Sequence, residues 1–362
     1  MKVVFITTVY LPHIGGIECY IHDISNRLIY DGHEVNIIVA DKNCEEIVVD
    51  NIDGAKVIRI PSYEICGFYI LRKKKYIDII NDELHNAKVV HLNACKFLYK
   101  HLAMMRQKYN YRLIVTSHGW LFHTSKNLFI KNLYFKYCVV KYYRYYDKII
   151  NVSIQDQQIA EKFGIKNSIV INNGADIKKF SMPDYKNTFD NNFIYWGRIS
   201  VNKGIYECLV KLAQYECDFT FNIIGVCEDD SYTNRLNKFI EENGLCDKVK
   251  FLGKLSNEQI KHYIELSDVI LLPSLHEGFG FTLVEALVTK RLILANNIDS
   301  YKYILDRTGT SDFLYDFSDD RNSMLDKINK LRQKKVEPKN IDQFSVETMV
   351  NNTINVYFEN RI

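Results

Sequence analysis

Pro273-Ser274-Leu275-His276-Glu277-Gly278-Phe279-Gly280-Phe281-Thr282-Leu283-Val284-Glu285-Ala286-Leu287 is the stretch that decides the fold. The apolar run Val269-Ile270-Leu271-Leu272 before it reads as a parallel strand buried on both faces. Pro273 and Ser274 close that strand, a loop with Gly278 and Gly280 follows, and Thr282 to Val288 has the apolar spacing of a helix opening. Strand, glycine loop and helix start together make an anion site, because backbone N–H groups and the helix dipole point at it and glycines admit a phosphate. Glu277 and Glu285 bracket the site. Carboxylates repel phosphate, so they suit hydroxyls on either side, and a diphosphate with a sugar at one end and a ribose at the other fits. The competing reading is a glycine-bearing turn with two surface acids.

Working outward, strand-like and helix-like segments alternate along most of the chain, which predicts an α/β fold with parallel sheets. Strands are expected near 3–8, 34–40, 56–60, 88–91, 112–117, 148–152 and 168–171, with helices near 17–30, 97–108 and 154–163. A polar, turn-rich seam follows at residues 182–192, and the alternation restarts at Phe193. Two Rossmann-like domains are the natural result, with ligand expected at the carboxyl ends of the strands. At 362 residues the chain is long enough for two such cores. The last segment, 344–362, has helical spacing.

Other candidate residues also follow strands. Gly15-Gly16 lies after the first strand, but it is no dinucleotide fingerprint, because the third glycine is missing. Arg198 follows the strand at 193–196, and Lys203-Gly204 opens the next helix. The two cations could clamp a diphosphate, Arg by its fork and Lys as a point charge, although isolated cations are more often surface residues. His118 follows the strand at 112–117, where a lone histidine is usually structural.

Composition excludes little and locates one feature. The chain is 47% hydrophobic and 25% charged, ordinary for a globular enzyme. Nine cysteines without a C-x-x-C pair suit reduced thiols in a cytoplasm and give no support for zinc. The opening strand lacks a signal peptide's apolar core, and no apolar run is long enough to cross a bilayer. The net charge of +3 is uneven, for no acid lies between Glu83 and Asp147. Within that stretch a tyrosine-rich helix candidate carries Lys131, Lys136, Lys141 and Arg144, and Arg72-Lys73-Lys74-Lys75 lies nearby. A basic, aromatic surface favours anionic lipid headgroups and a reversible seat on the inner face of a plasma membrane. No nucleic-acid motif accompanies it, so nucleic acid is not an expected partner. The alternative is a solvated face whose aromatics are core.

With these residues collected, the chain resembles the retaining family-4 glycosyltransferases of the GT-B fold. The resemblance rests on Gly15-Gly16, Ser117-His118-Gly119, Asn173-Gly174-Ala175-Asp176, Gly197-Arg198, Lys203-Gly204, Ile223-Ile224-Gly225, Phe251-Leu252-Gly253, Ser267-Asp268-Val269 and Glu277 to Glu285. The order and spacing of the series are specific, where Glu-x7-Glu alone is weak. Asn172 in place of proline, Lys290-Arg291-Leu292-Ile293 after the donor helix, and Tyr301-Lys302-Tyr303 where a glutamate often stands depart from the pattern.

The resemblance implies two Rossmann-like domains facing across a central cleft. An acceptor-binding domain would span 1–185, a nucleotide-sugar domain 186–343, and a C-terminal helix at 344–362 would return to the first domain. Gly16, Arg198, Lys203, Gly278, Phe279, Gly280 and Glu285 would bind the donor, and His118 and Glu277 would serve the chemistry. No Asp-x-Asp occurs, so no metal and no cofactor beyond the sugar nucleotide are expected. The implied reaction is retaining hexosyl transfer to a glycan or lipid-linked acceptor, in building a capsule or lipopolysaccharide. A sugar-nucleotide-binding subunit without activity, or a storage-polysaccharide synthase or phosphorylase, remains open as an alternative; an NAD-dependent oxidoreductase is disfavoured by the missing fingerprint.

Overall fold

The computed structural model describes residues 1–13, 15–65, 68–93, 97–120, 132–186, 188–227, 229–319 and 323–359. The chain divides into two compact units, one of Met1–Gly174 with Val346–Ile362 and one of Ala175–Ser345.

The first unit is built on a nine-stranded sheet. Its strands are β1 (Lys2–Thr7), β2 (Glu34–Asp41), β3 (Val48–Ile52), β4 (Ala55–Ile65), β5 (Phe68–Leu71), β6 (Val89–Leu92), β7 (Arg112–Thr116), β8 (Lys148–Asn151) and β9 (Ser168–Val170). The order is β3-β4-β2-β1-β6-β7-β8-β9, with β5 added to β4. All neighbours pair in parallel except β3 and β5, which run antiparallel to β4. Side chains alternate between faces along a strand, and β1 shows what covers each face. Val4 and Ile6 join a core with Ile80, Leu84, Leu102 and Phe135, while Val3 and Phe5 join another with Ile21, Ile24, Met349 and Val350. The helices Tyr76–His85 and Tyr99–Tyr109 therefore lie on one face, and Gly16–Tyr30 and Val346–Phe358 on the other.

The last helix is fastened by a buried polar network. His91 meets Tyr357 OH through Nδ1 at 2.6 Å and Thr116 Oγ1 through Nε2 at 2.7 Å. Tyr20 OH lies 3.2 Å from Thr116 Oγ1 and 3.3 Å from Thr353 Oγ1. Burial, with a smaller contribution from His118, pushes the His91 pKa down to about 3. The ring is thus neutral at ordinary pH, donating from one nitrogen and accepting at the other.

The second unit carries β10 (Asn192–Trp196), β11 (Thr220–Ile224), β12 (Val249–Gly253), β13 (Val269–Leu272), β14 (Leu292–Asn296) and β15 (Leu314–Tyr315). All six run parallel in the order β12-β11-β10-β13-β14-β15. This is the doubly wound Rossmann order, and it switches direction between β10 and β13. Asp268 pins the amino ends of these two strands. Its buried carboxylate accepts from the backbone N–H of Asn192 at 2.8 Å and of Asp190 at 2.9 Å, and from Lys186 Nζ at 2.7 Å.

The junction at Gly174–Ala175 lies earlier than the seam expected at 182–192 and the domain end expected at 185. Phe180 and Met182 sit in the second unit's core, and the Ala175 N–H donates to the Phe344 carbonyl at 2.9 Å. Those two apolar anchors outweigh the polar look of the residues after them.

Replacing Tyr357 by Phe strands a buried imidazole nitrogen without changing shape. Tyr357→Phe is expected to lower the stability of the first unit by about 1–3 kcal/mol, the cost of one unmet buried polar group. Urea unfolding followed by far-ultraviolet circular dichroism checks this; an unchanged midpoint would show that the network holds nothing.

Candidate functional site

In a doubly wound sheet the loops leaving the two strands at the switch point diverge to opposite faces and open a crevice at their carboxyl ends. Here those loops are Gly197–Gly204 after β10 and Pro273–Gly280 after β13. Backbone bonds join them, from the N–H of Leu275 to the Asn202 carbonyl at 2.9 Å and from that of His276 at 3.4 Å. Gly204 makes this approach possible. It has φ +66°, and a Cβ there would lie 2.1 Å from the Pro273 carbonyl oxygen. Lys203, the last residue of a 3-10 turn (Val201–Lys203), is thereby delivered to the β13 loop.

Lys203 Nζ donates to Glu277 Oε1 at 2.5 Å, and both side chains are largely buried, at 18% and 16% exposure. Ser274 Oγ donates to the same oxygen at 2.8 Å and Tyr301 OH at 3.4 Å. Three donors converging on one oxygen set the carboxylate's position. Burial, then the Glu277 charge, raises the phenols of Tyr195 and Tyr301, so both remain neutral donors. Tyr195 OH donates to the Arg198 carbonyl at 2.8 Å, while the Arg198 side chain is exposed and outside the Lys203–Glu277 contact.

Glu285 lies on the helix Phe281–Leu287. Its Oε1 accepts from Lys179 Nζ and its Oε2 from Trp196 Nε1, each at 3.1 Å. Lys179 is held by a turn in which Asp176 Oδ1 accepts from the N–H groups of Lys178 and Lys179. Phe279 is buried and Gly278 exposed. The two loop glycines differ in kind. Gly280 has φ +109°, and a Cβ there would stand 2.8 Å from the Tyr301 ring, whereas a Cβ on Gly278 would meet nothing within 4 Å. The fold requires the glycine at 280 and leaves open space at 278.

In the first unit His118 follows β7 in a tight loop with positive φ at His118, Gly119 and Trp120. Asp156 holds the loop, accepting from Ser117 Oγ and, at 2.9 Å, from the Gly119 N–H. The imidazole meets Asn93 Oδ1 through Nε2 at 2.9 Å and the edge of Tyr20 at a centroid distance of 5.0 Å. Because Asn93 Nδ2 donates to the His91 carbonyl, its oxygen faces His118, and Nε2 is the protonated nitrogen. Gly16 begins the helix Gly16–Tyr30. The space beside Gly15 is filled by Glu18, whose Oε2 would lie 2.7 Å from a Cβ there and whose Oε1 bonds His13.

The basic candidates divide. Arg72 stacks over Tyr63 at 5.2 Å and donates to the Lys42 carbonyl, so it is engaged. Lys73, Lys74, Lys136, Lys141 and Arg144 are exposed, and Lys131 lies outside the described residues. Trp120, Phe135, Tyr143 and Tyr146 are core, while Tyr137 and Tyr145 are exposed. The stretch thus combines aromatics that belong to the core with bases and tyrosines that are exposed. Lys179, Ser274, Trp196, Tyr301 and Asn93 were not anticipated.

Two family descriptions match the sequence: Glycosyltransferase Family 4 over residues 14–179 and Glycosyl transferases group 1 over residues 177–346. A GDP-mannose:cellobiosyl-diphosphopolyprenol alpha-mannosyltransferase of Xanthomonas oryzae is 28% identical over 85% of this chain and 82% of its own length. Among solved structures, HepE of Anabaena in complex with UDP superposes with a TM-score of 0.75 at 20% identity, over 98% of this chain and 99% of that one. Sucrose-phosphate synthase of Thermosynechococcus elongatus does so with a TM-score of 0.71 at 17% identity, over 99% of this chain and 98% of that one.

The glycines give a test of the site that needs no substrate chemistry. Gly204→Ala is expected to cost about 1–3 kcal/mol from backbone strain alone, with the clash added, whereas Gly278→Ala should melt as wild type. Thermal denaturation of both variants checks this; equal melting points would mean the loops do not pack as described.

Proposed function

Because the chain belongs to the family-4, group-1 glycosyltransferases of the GT-B fold, we propose that it transfers a hexose with retention from a nucleotide diphosphate sugar to a lipid-linked glycan acceptor in bacterial surface-polysaccharide synthesis. The observation that carries this reading is the Lys203–Glu277 contact at the switch point, which sets a cation suited to phosphate beside an acid suited to sugar hydroxyls. In this reading Lys203 and Arg198 neutralise the diphosphate and Glu277 grips the sugar hydroxyls. Glu285 takes the ribose, aided by Lys179 and Trp196. The open space at Gly278 admits the sugar and phosphate, with Phe279 and Gly280 shaping the loop. Gly16 and His118 serve the same reaction from the first unit, His118 by electrostatics and positioning.

The carbon–oxygen bond to the leaving phosphate breaks as the acceptor oxygen bonds the same carbon on the same face. The leaving phosphate takes the acceptor's proton, and its growing negative charge is stabilised by the two cations. With no Asp-x-Asp in the sequence, the cations take the place a metal would have, and turnover is expected to persist in chelator. The matched mannosyltransferases from Xanthomonas oryzae, Xanthomonas campestris and Komagataeibacter xylinus act, by name, with GDP-mannose on a diphosphopolyprenol-borne disaccharide, which supports GDP-mannose as the first donor to try. They also support a lipid-borne acceptor, reached by peripheral association of the basic first unit with an anionic inner membrane face. Among the described residues no helix is long and apolar enough to cross a membrane.

A thermal-shift panel of GDP-, UDP-, ADP- and dTDP-sugars tests the donor, since a ligand at 100 times its Kd stabilises by about 2.7 kcal/mol. The binding sugar nucleotide is then assayed for turnover in chelator; a shift without turnover would point to a binding subunit without activity.

Charge removal gives the residue-level test. Arg198→Ala and Lys203→Ala should each cut transfer by ~10²-fold or more, on the scale of a lost transition-state electrostatic contact. Glu277→Gln should mainly lower the rate of the chemical step. Glu285→Gln should mainly weaken binding, including that of the free nucleoside diphosphate. Wild-type turnover in a normally folded variant would remove that residue from the site.

A further inference from the structure

The hairpin formed by β4 and β5 has the wrong side out for a water-soluble surface. Its register pairs Tyr63 with Ile70 and Ile65 with Phe68. Residues directly opposite in an antiparallel pair share a face, and every second pair falls on the same one. Tyr63, Ile65, Phe68 and Ile70 therefore line a single face. Tyr63, Ile65 and Ile70 are 55%, 56% and 53% exposed, and Phe68 is half-buried with its ring edge-on to Tyr134 at 5.1 Å. The other face is already occupied, since Tyr69 and Leu71 pack on the first unit's core and Glu64 binds Lys42 at 2.6 Å. The hairpin's inward face is satisfied within the fold, and on its outward face Tyr63, Ile65 and Ile70 stand exposed.

What flanks that face identifies its occupant. Arg72-Lys73-Lys74-Lys75 follows β5 directly, with Lys73, Lys74 and Lys75 exposed and the Arg72 guanidinium over the Tyr63 ring. The single acid of the hairpin, Glu64, belongs to the opposite face and is neutralised by Lys42. Through Phe68 and Tyr134 the apolar face adjoins a segment that exposes Leu133, Lys136 and Tyr137. Protein interfaces are depleted in lysine. Apolar and aromatic side chains bordered by a run of lysines instead match a bilayer surface, with rings at the headgroup level and ammonium groups on anionic lipid.

We propose that the β4–β5 hairpin is a membrane wedge, seating the exposed Tyr63, Ile65 and Ile70 in the headgroup–acyl boundary of an anionic bilayer while Lys73, Lys74 and Lys75 hold lipid phosphates. This rests on the reading of a lipid-borne acceptor at a membrane and adds what electrostatic attraction alone lacks, a fixed depth and orientation of the first unit.

The test places a tryptophan at the wedge. Native Trp120 and Trp196 are buried and supply a constant background. On vesicles of phosphatidylglycerol and phosphatidylcholine, Ile65→Trp should shift its emission to the blue and be quenched by lipids brominated on the acyl chain. The combined Tyr63→Ser, Ile65→Ser and Ile70→Ser variant should melt as wild type and lose roughly tenfold or more in apparent vesicle affinity, with the remainder abolished by salt. Flotation without quenching of Ile65→Trp would overturn the wedge and leave membrane association standing. A complete absence of flotation would overturn both. A dimer in solution that the triple variant loses, with no quenching, would show that the face meets a second copy of the chain.

Discussion

Because the central strands of both sheets are covered on both faces, polar side chains along their lengths would be buried, and the chemistry is driven to the strand ends. β13, Val-Ile-Leu-Leu, has no polar side chain, and the next seven residues include Ser274, His276 and Glu277. The same constraint makes the interior polar exceptions informative. His91 and Thr116 are buried in the first sheet, and both find partners on the last helix or on Tyr20. Asp268 is buried just before β13, and three donors meet it. Each exception is a fastening, and none is a reacting group.

The Lys203–Glu277 contact has a consequence for how a ligand enters. A buried ion pair is costly to desolvate and strongly destabilising to break from one side only. Under the proposed function an incoming diphosphate would draw Lys203 away from Glu277 and replace one negative partner by another. A sugar hydroxyl donating to Glu277 would fill the place that the lysine leaves. The site would then exchange partners without exposing an uncompensated charge.

Much of this was legible in the residues themselves. β7 and β13 and the helix Gly16–Tyr30 fall where the apolar pattern places them, since buried parallel strands are short continuous runs and amphipathic helices repeat by three and four. β3 escaped because Val48–Ile52 is exposed and shows no alternation, and β5 because it follows a strand that runs on past Pro61. The helices Asp299–Thr308 and Met324–Leu331 also went unmarked. In the candidate site, the places of Lys203 and Glu277 after strands put them on the two loops that the structure brings into contact. Ser274, Tyr301, Trp196 and Lys179 were not legible, because what qualifies them is where their donors point, a property of the packed loops. Asp268 and Asp176 belong to the recurring series of residues, yet the structure gives them to backbone anchoring.

The first unit is made from both ends of the chain, and the second from one uninterrupted stretch. A polypeptide leaving the ribosome therefore presents the whole of the second unit before the first can be completed. Until Val346–Phe358 emerges, the sheet face bearing Val3, Phe5 and Ile37 lacks half of its cover, and His91 lacks its phenol. Domains fold as units once all their parts are available, so the order of maturation runs against the order of synthesis. The unit begun first is finished last, and until then it is the one that offers apolar surface to chaperones.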